Sequence, residues 1–179
     1  DSATMINKVF EVIEAKKIFK LEFNKIEILV HPRSYVHAIV KFKNGLTKIL
    51  IHETDMTIPI FNSIYENFQK TIPSKKINLN ILNDLSFNLI NIKKFPAVKI
   101  LKELPKLDSL FETILVSAND HLVNMFLKKK IRFIDISIIL LKLIKLKELT
   151  KYKSIKPKNL NDILKLHDYV SLKIKALSV

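Results

Sequence analysis

The chain has 179 residues, of which 48% are hydrophobic and 27% charged, a composition typical of a globular protein and not of a disordered one. It contains no cysteine, which excludes a disulfide framework and a thiolate metal site. No apolar run approaches the roughly 20 residues that cross a bilayer. No signal peptide is visible, and because the first residues are Asp-Ser-Ala-Thr, we expect the natural beginning of the protein to be missing.

The net charge of +14 comes almost entirely from lysine, since Arg33 and Arg132 are the only arginines. Protein surfaces that recognise nucleic-acid bases, or that bind phosphates with two parallel hydrogen bonds, favour arginine. We interpret most of the charge as compositional drift, with a basic nucleic-acid-binding module as the alternative. The single glycine, Gly45, excludes a dinucleotide fingerprint within this chain, because that motif needs at least two glycines at fixed spacing.

The first predicted element is an amphipathic helix that starts near Met5. Apolar residues recur at positions 5, 6, 9, 10, 12 and 13, which is the spacing of one buried helix face. Asn7, Glu11 and Glu14 then share the opposite face, and Lys8 stands three residues before Glu11.

The polar face of this helix has residue types that bind phosphate and metal ions. Ser2 or Thr4 is placed to cap the helix, and a helix N-terminus beside hydroxyls, an amide and a lysine can hold a phosphate. Glu11, one turn further, can reach a divalent cation through its carboxylate oxygens. From spacing alone, an ordinary capped surface helix is the more frequent explanation.

A strand over residues 25–30 and a β-hairpin follow. Residues 35–43 and 46–52 alternate in polarity, and Asn44-Gly45 between them is a strong hairpin signal, with positive φ expected at both turn positions. We predict that the hairpin packs beside the first helix in a small α+β unit. His31, His37 and His52 lack a zinc spacing, and hydrogen-bonded structural histidines are the more frequent explanation.

The remaining chain divides into a connecting region and a helical region. Prolines and weak periodicity predict a meandering linker over residues 61–94, with one short helix carrying Phe61, Ile64, Tyr65 and Phe68. Residues 95–179 have helical spacing with short connections, which predicts a bundle of four helices. The predicted third helix covers residues 136–149, is capped by Asp135 and is central because it is apolar nearly all round.

Five segments resemble motifs of one enzyme family and occur in the same order. Residues 1–15 resemble DSATMMNKGLEVIEA, residues 26–37 resemble IEVLVHPQSxxH, and residues 54–60 resemble PDMRxPI. Residues 95–99 resemble FPCLKLA, and residues 117–120 with 131–136 resemble NAANE and IRFxDI. These are motifs of the 1-deoxy-D-xylulose 5-phosphate reductoisomerase family. The resemblance enters at about the midpoint of that enzyme.

The resemblance implies an NADPH-dependent enzyme that uses Mg²⁺ or Mn²⁺ to convert 1-deoxy-D-xylulose 5-phosphate to 2-C-methyl-D-erythritol 4-phosphate in non-mevalonate isoprenoid biosynthesis. Ser2, Asn7 and Lys8 match positions that hold the substrate phosphate. Glu11 matches a catalytic carboxylate that reaches both substrate and metal. The family is typically a soluble cytoplasmic homodimer. The resemblance also implies a sugar-phosphate substrate and neither nucleic-acid nor membrane partners.

Two further residues take implied roles from the same resemblance. His37 matches the second histidine of HPQSxxH, near the active site, and is a candidate catalytic residue. Met56 matches the methionine that lies against the nicotinamide of NADPH. The upstream NADPH-binding domain and the two other metal carboxylates are absent from this chain, so we expect the chain alone to be inactive.

With the resemblance, the predicted fold is α+β: a partial catalytic α/β domain with an antiparallel hairpin over residues 1–60, a linker over 61–94, and a C-terminal helical bundle over 95–179. Some residues depart from the family pattern. Val9 stands in place of a glycine, Arg33 in place of a glutamine, and Asp120 in place of a glutamate, while residues 52–54 replace GxP. A divergent non-catalytic paralogue is therefore a further alternative.

Overall fold

The computed structural model describes residues 1–65 and 70–177, without the side chain of residue 177. Contacts divide the chain into two compact units, one formed by Asp1–Ile28 with Asn91–Val179 and the other by Leu29–Ile90. Helices and short antiparallel strands occur together, so the predicted α+β class is confirmed. The proposed division at residues 60 and 94 stays a prediction for the complete protein.

The first unit begins with a 3-10 turn at Ser2–Thr4, followed by helix α1 at Ile6–Phe19. The apolar face of α1 is buried as its periodicity predicts, with Ile6 and Val9 fully inaccessible to solvent. The helix packs against a 3-10 helix at Pro96–Lys102. It therefore shares a unit with the C-terminal helices and not, as predicted, with the hairpin.

The C-terminal helices surround one apolar core. They are α4 (Phe111–Leu127), α5 (Phe133–Leu143), α6 (Lys147–Thr150) and α7 (Leu160–Leu177). Shorter 3-10 turns occur at Phe23–Lys25 and Lys151–Ser154. Helix α4 packs against both α5 and α7. The core includes Phe111, Ile114, Leu115, Leu122, Leu140, Leu143, Val170 and Ile174. The predicted C-terminal helical bundle is confirmed.

Helix α5 differs from its prediction in extent, capping and burial. It begins at Phe133, so Asp135 lies in the first turn and not before it. The Asp135 carboxylate accepts hydrogen bonds from the backbone N–H of Arg132 at 2.9 Å and from its guanidinium at 3.0 Å. These hydrogen bonds lower the pKa of Asp135. The helix is also not buried all round, because Ile138 is 39% exposed.

The second unit contains the predicted hairpin, with β2 at Val36–Lys41 antiparallel to β3 at Thr47–Ile51. Its turn differs in detail from the prediction. Gly45 has φ of +88°, but Asn44 is not among the residues with positive φ. The Gly45 N–H donates to the Phe42 carbonyl at 3.1 Å, and the Phe42 N–H donates to the Leu46 carbonyl at 2.8 Å. This is a tight turn followed by a left-handed glycine, the commonest three-residue hairpin loop.

The predicted linker contains ordered elements of this second unit. These are helix α2 at Thr57–Ile64, helix α3 at Leu79–Asn83, and strand β4 at Asn88–Leu89. Strand β4 pairs antiparallel with β1 at Leu29–Val30, a shorter strand than predicted. Phe68, assigned to the predicted short helix, lies outside the described residues. Among the described helices, none has the length and apolar character needed to cross a membrane.

We expect Gly45→Ala to destabilise the hairpin by about 1–2 kcal/mol, because a left-handed conformation is costly for alanine. A methyl group at this position meets no atom within 4 Å, so the cost is confined to the backbone. Hydrogen exchange of the β2 and β3 amides measures the change. Gly45→Asn is the matched control, since asparagine tolerates this conformation better; equal losses in both variants would contradict the assignment.

Asp135→Ala should lower the thermal midpoint at pH 7, because it removes the carboxylate that caps α5. The pKa of Asp135 in the folded protein lies below its ordinary value of 3.8, so this contribution is complete above that value and disappears as the pH falls through the folded pKa. Thermal unfolding of variant and wild type should therefore converge only as the pH falls below the folded pKa of Asp135, which is itself below 3.8. Asp120→Ala, an exposed change on α4, is the control. A difference that persists undiminished at low pH would contradict the capping role.

Candidate substrate and metal site

Asn7, Lys8 and Glu11 converge on the exposed face of α1. The Lys8 Nζ donates to both Glu11 carboxylate oxygens, at 3.0 and 2.9 Å. Asn7 Nδ2 lies 3.4 Å from Glu11 Oε1. Residues three and four apart are neighbours on a helix, which explains why this sequence brings the three groups together. The structure therefore forms the cluster that the spacing predicts.

The Lys8 and Glu11 side chains remain accessible while they pair. Their exposed fractions are 43% and 52%. An ion pair in contact with water contributes little to stability, because each charge is also well solvated when the pair separates. An entering anion can therefore take the Lys8 ammonium, and an entering cation can take the Glu11 carboxylate, at small energetic cost.

The start of α1 differs from the prediction that Ser2 or Thr4 caps it. The N-cap is Met5, in the left-handed conformation with φ of 62°, and no side chain of the described residues caps the helix. The Thr4 Oγ1 instead donates to the Asp1 carbonyl at 2.8 Å. Ser2 is exposed in the preceding turn. No side chain among the described residues occupies the N-terminal N–H groups, which leaves them suited to an anion.

This turn is anchored by a contact that the sequence did not reveal. The Asp1 carboxylate accepts a hydrogen bond at 2.8 Å from Asn119 Nδ2 on α4, 118 positions further along the chain. Asn119 is fully buried. The sequence signal for this contact was a polar residue, Asn119, directly after Ala118 in a region predicted to be helical.

The substitution of Val9 for the family glycine does not disturb the polar face. Val9 is fully buried and belongs to the apolar core of its unit. Its side chain therefore packs on the face of α1 opposite to Glu11.

His37 and Met56 belong to the second unit and are described within it. The His37 ring stacks on the His52 ring, with centroids 3.5 Å apart, and His37 Nε2 lies 3.0 Å from the His52 carbonyl oxygen. Since a carbonyl only accepts, Nε2 carries the proton and Nδ1 is the acceptor of the neutral ring. His52 stands where the family has the GxP segment, and sequence patterns did not predict its stacking.

The other residues of the second unit have simpler roles. His31 Nδ1 lies 3.0 Å from the Ser86 carbonyl oxygen, so the expected hydrogen-bonded structural histidine is observed. Met56 precedes α2 and is 66% exposed. Arg33, which stands in place of the family glutamine, pairs with Asp84 at 2.6 Å. The His31–Ser86 and Arg33–Asp84 contacts connect residues near β1 with residues near β4.

A divalent metal is compatible with Glu11 as one ligand. Glu11 offers accessible carboxylate oxygens, which Mg²⁺ and Mn²⁺ prefer. Within residues 1–65 and 70–177, no group of three or more histidine, aspartate and glutamate side chains is arranged to hold a metal ion. The described residues therefore do not complete a metal site around Glu11.

Comparisons with known proteins agree on one family. Residues 51–171 match the family model described as DXP reductoisomerase C-terminal domain. The 1-deoxy-D-xylulose 5-phosphate reductoisomerase of Pelagibacter ubique (strain HTCC1062) is 59% identical over 179 residues, which is 100% of this chain and 46% of the relative. The enzyme of the same name from Aquifex aeolicus (strain VF5) is 35% identical over 136 residues, covering 76% of this chain and 36% of the relative.

Solved structures give the same result. The chain resembles 1-deoxy-D-xylulose 5-phosphate reductoisomerase from Zymomonas mobilis in complex with NADPH, with a TM-score of 0.83 and 30% identity over 99% of this chain and 46% of that one. It also resembles DOX-P reductoisomerase in complex with NADPH, fosmidomycin and magnesium, with a TM-score of 0.85 and 29% identity over 99% of this chain and 44% of that one. The chain spans about half the length of the relatives it matches first. It belongs to the 1-deoxy-D-xylulose 5-phosphate reductoisomerase family and carries the C-terminal domain of that family.

Proposed function

We propose that this chain is part of an NADPH-dependent, divalent-metal-dependent reductoisomerase that converts 1-deoxy-D-xylulose 5-phosphate to 2-C-methyl-D-erythritol 4-phosphate. The observation that carries the proposal is the convergence of Asn7, Lys8 and Glu11 on one accessible helix face. These positions match the family motif residue by residue. Relatives with this enzyme name, and similar structures that hold NADPH and magnesium, support it.

In this proposal the first turn of α1 binds the substrate phosphate. Lys8 supplies a full positive charge, while Asn7 Nδ2 and the Ser2 hydroxyl supply neutral donors. The uncapped N-terminus of α1 adds a favourable dipole. Each charge-assisted hydrogen bond to the phosphate contributes about 1.5–3 kcal/mol.

Glu11 is proposed as one ligand of Mg²⁺ or Mn²⁺ and as a contact to the substrate. When bound, the metal supplies Lewis-acid stabilisation to the substrate oxygens during the carbon rearrangement. In this chain, the Lys8–Glu11 ion pair opens when the ligands bind. Lys8 then pairs with the phosphate, and the Glu11 oxygens become available to the metal. Substrate and metal binding are thereby linked through one ion pair.

His37 and Met56 are proposed to complete the contribution of this chain. Because His37 Nε2 donates to the His52 carbonyl, Nδ1 is the ring nitrogen left to contact a substrate hydroxyl. The stacked His52 ring holds its plane. The exposed Met56 side chain offers an apolar surface to the nicotinamide ring of NADPH.

The proposal places the NADPH-binding domain and the other metal carboxylates in the half of the relatives' length that this chain does not cover. One carboxylate cannot build an octahedral site, so the 179-residue chain alone is expected to be inactive. The complete enzyme is proposed to be a cytoplasmic homodimer of non-mevalonate isoprenoid biosynthesis, without nucleic-acid or membrane partners.

In the full-length enzyme, Glu11→Gln should lower kcat by about 100-fold or more, because an amide is a poor ligand for a hard divalent cation. Steady-state kinetics with saturating Mg²⁺ and NADPH measure the effect. The matched control is Glu14→Gln, an exposed carboxylate one turn further along the same helix. If both variants retain the wild-type kcat, the metal assignment is wrong.

Lys8→Ala should mainly weaken substrate binding, raising KM by about 10- to 100-fold, which corresponds to the loss of one charge-assisted hydrogen bond. The same kinetic assay with varied 1-deoxy-D-xylulose 5-phosphate measures it. Lys142→Ala, an exposed lysine on α5 and outside the cluster, is the control. An unchanged KM would show that the phosphate binds elsewhere.

A further inference from the structure

Asn119 on α4 is a fully buried polar residue whose position requires a reason. Its Nδ2 donates to the Asp1 carboxylate at 2.8 Å. Its Oδ1 is buried and has no hydrogen-bond partner among the described residues. Burying an amide with an unsatisfied oxygen is unfavourable, and an apolar side chain would fill the same space in this core more stably. We therefore explain the amide at this position by its hydrogen bond to the Asp1 carboxylate.

Asp1 is the first residue of a closed turn. Its carbonyl accepts hydrogen bonds from the Thr4 N–H at 3.2 Å and from Thr4 Oγ1 at 2.8 Å. The Met5 N–H then donates to the Ser2 carbonyl at 3.0 Å, and Met5 adopts the left-handed conformation. Left-handed backbone is unfavourable for methionine, so this turn persists only because its surroundings hold it.

The turn is held at both of its ends. At one end, Asn119 binds the Asp1 carboxylate. Thr4, which binds the Asp1 carbonyl, is only 5% exposed. At the other end, the fully buried Ile6 and Val9 fix the rotation of α1. Ser2 lies between these two anchors and is exposed. The Asn119 contact thus determines where the Ser2 hydroxyl stands relative to the first turn of α1.

We propose that Asn119 is a positioning residue for the phosphate subsite. Its amide binds the Asp1 carboxylate and thereby holds the Ser2–Thr4 turn and the N-terminus of α1 in the geometry that receives the phosphate. This inference rests on the proposed function of that turn. It gives the C-terminal helices a part in substrate affinity without contact to the substrate.

The chemistry of the contact requires an amide and a carboxylate on opposite sides. Asn119→Asp preserves shape but replaces the amide donor with a carboxyl group that repels the Asp1 carboxylate when both are ionised, which weakens the contact to the turn. In the double variant Asp1→Asn/Asn119→Asp, amide and carboxylate exchange sides and the hydrogen bond can form again. Ser117→Ala is the matched control, because it removes another partly buried hydrogen bond of α4, to His167 at 2.9 Å, away from the turn.

The test uses the full-length enzyme and two measurements on each variant: steady-state kinetics, and a titration of inorganic phosphate by calorimetry. Asn119→Asp should raise both KM and the phosphate Kd by about tenfold while kcat changes less than about threefold. The double variant should restore both constants to near the wild-type values. Ser117→Ala should leave both constants unchanged even where its thermal midpoint falls.

Three results would overturn the positioning role: wild-type KM and phosphate Kd in Asn119→Asp, failure of the double variant to restore them, or an equal change in Ser117→Ala. A wild-type enzyme that turns over another substrate but still binds phosphate, with the predicted dependence on Asn119, would remove the proposed reaction and leave the positioning role in place. A wild-type protein that binds no inorganic phosphate would overturn the positioning role, while turnover of 1-deoxy-D-xylulose 5-phosphate would leave the proposed reaction in place.

Discussion

The ion pair between Lys8 and Glu11 is the interaction on which the functional interpretation depends. Lys8 Nζ lies 2.9 Å from a Glu11 carboxylate oxygen on an accessible surface. Neither charge is committed to the fold, because both remain about half exposed. A substrate with a phosphate at one end and metal-binding oxygens at the other offers each charge a new partner. In the proposed function, the two members of this pair are the binding groups for the substrate phosphate and the metal.

The fold serves this pair by fixing the rotation of α1. Ile6, Val9, Val12 and Ile13 are buried, and the helix packs on Pro96–Lys102. Rotating the helix would expose this apolar face, so the polar face cannot turn inward. At the helix N-terminus, the Asp1 contact to α4 adds a polar anchor. The C-terminal part of the chain therefore supports α1, whose polar face carries the proposed site.

Local patterns predicted the local structure well. The apolar spacing of α1 predicted both its start and the cluster of Asn7, Lys8 and Glu11, because the pattern and the cluster follow from the same helical geometry. Asn44-Gly45 predicted the hairpin, since one left-handed residue is enough to reverse the chain. Only the turn type differed, because the second positive φ was not required.

Features that depend on distant residues were not predictable in this way. The capping of α1 by Ser2 or Thr4 failed because Thr4 is used to close a turn around Asp1, and that turn is stabilised by Asn119 far along the chain. The start of α5 was placed late because Asp135 acts from within the first turn, paired with Arg132, and not before it. The stacking of His37 on His52 across the hairpin depends on strand register, which composition does not encode.

The most direct measurement of the central claim is a crystal structure of the full-length enzyme with magnesium and fosmidomycin, the ligand of a similar solved structure. The account predicts that the Lys8–Glu11 pair opens, with Lys8 Nζ within about 3 Å of an oxygen of the phosphorus-containing group. A Glu11 oxygen should lie about 2.1 Å from the magnesium ion. A bound ligand and metal with Lys8 still paired to Glu11, and neither residue in contact with them, would contradict the account.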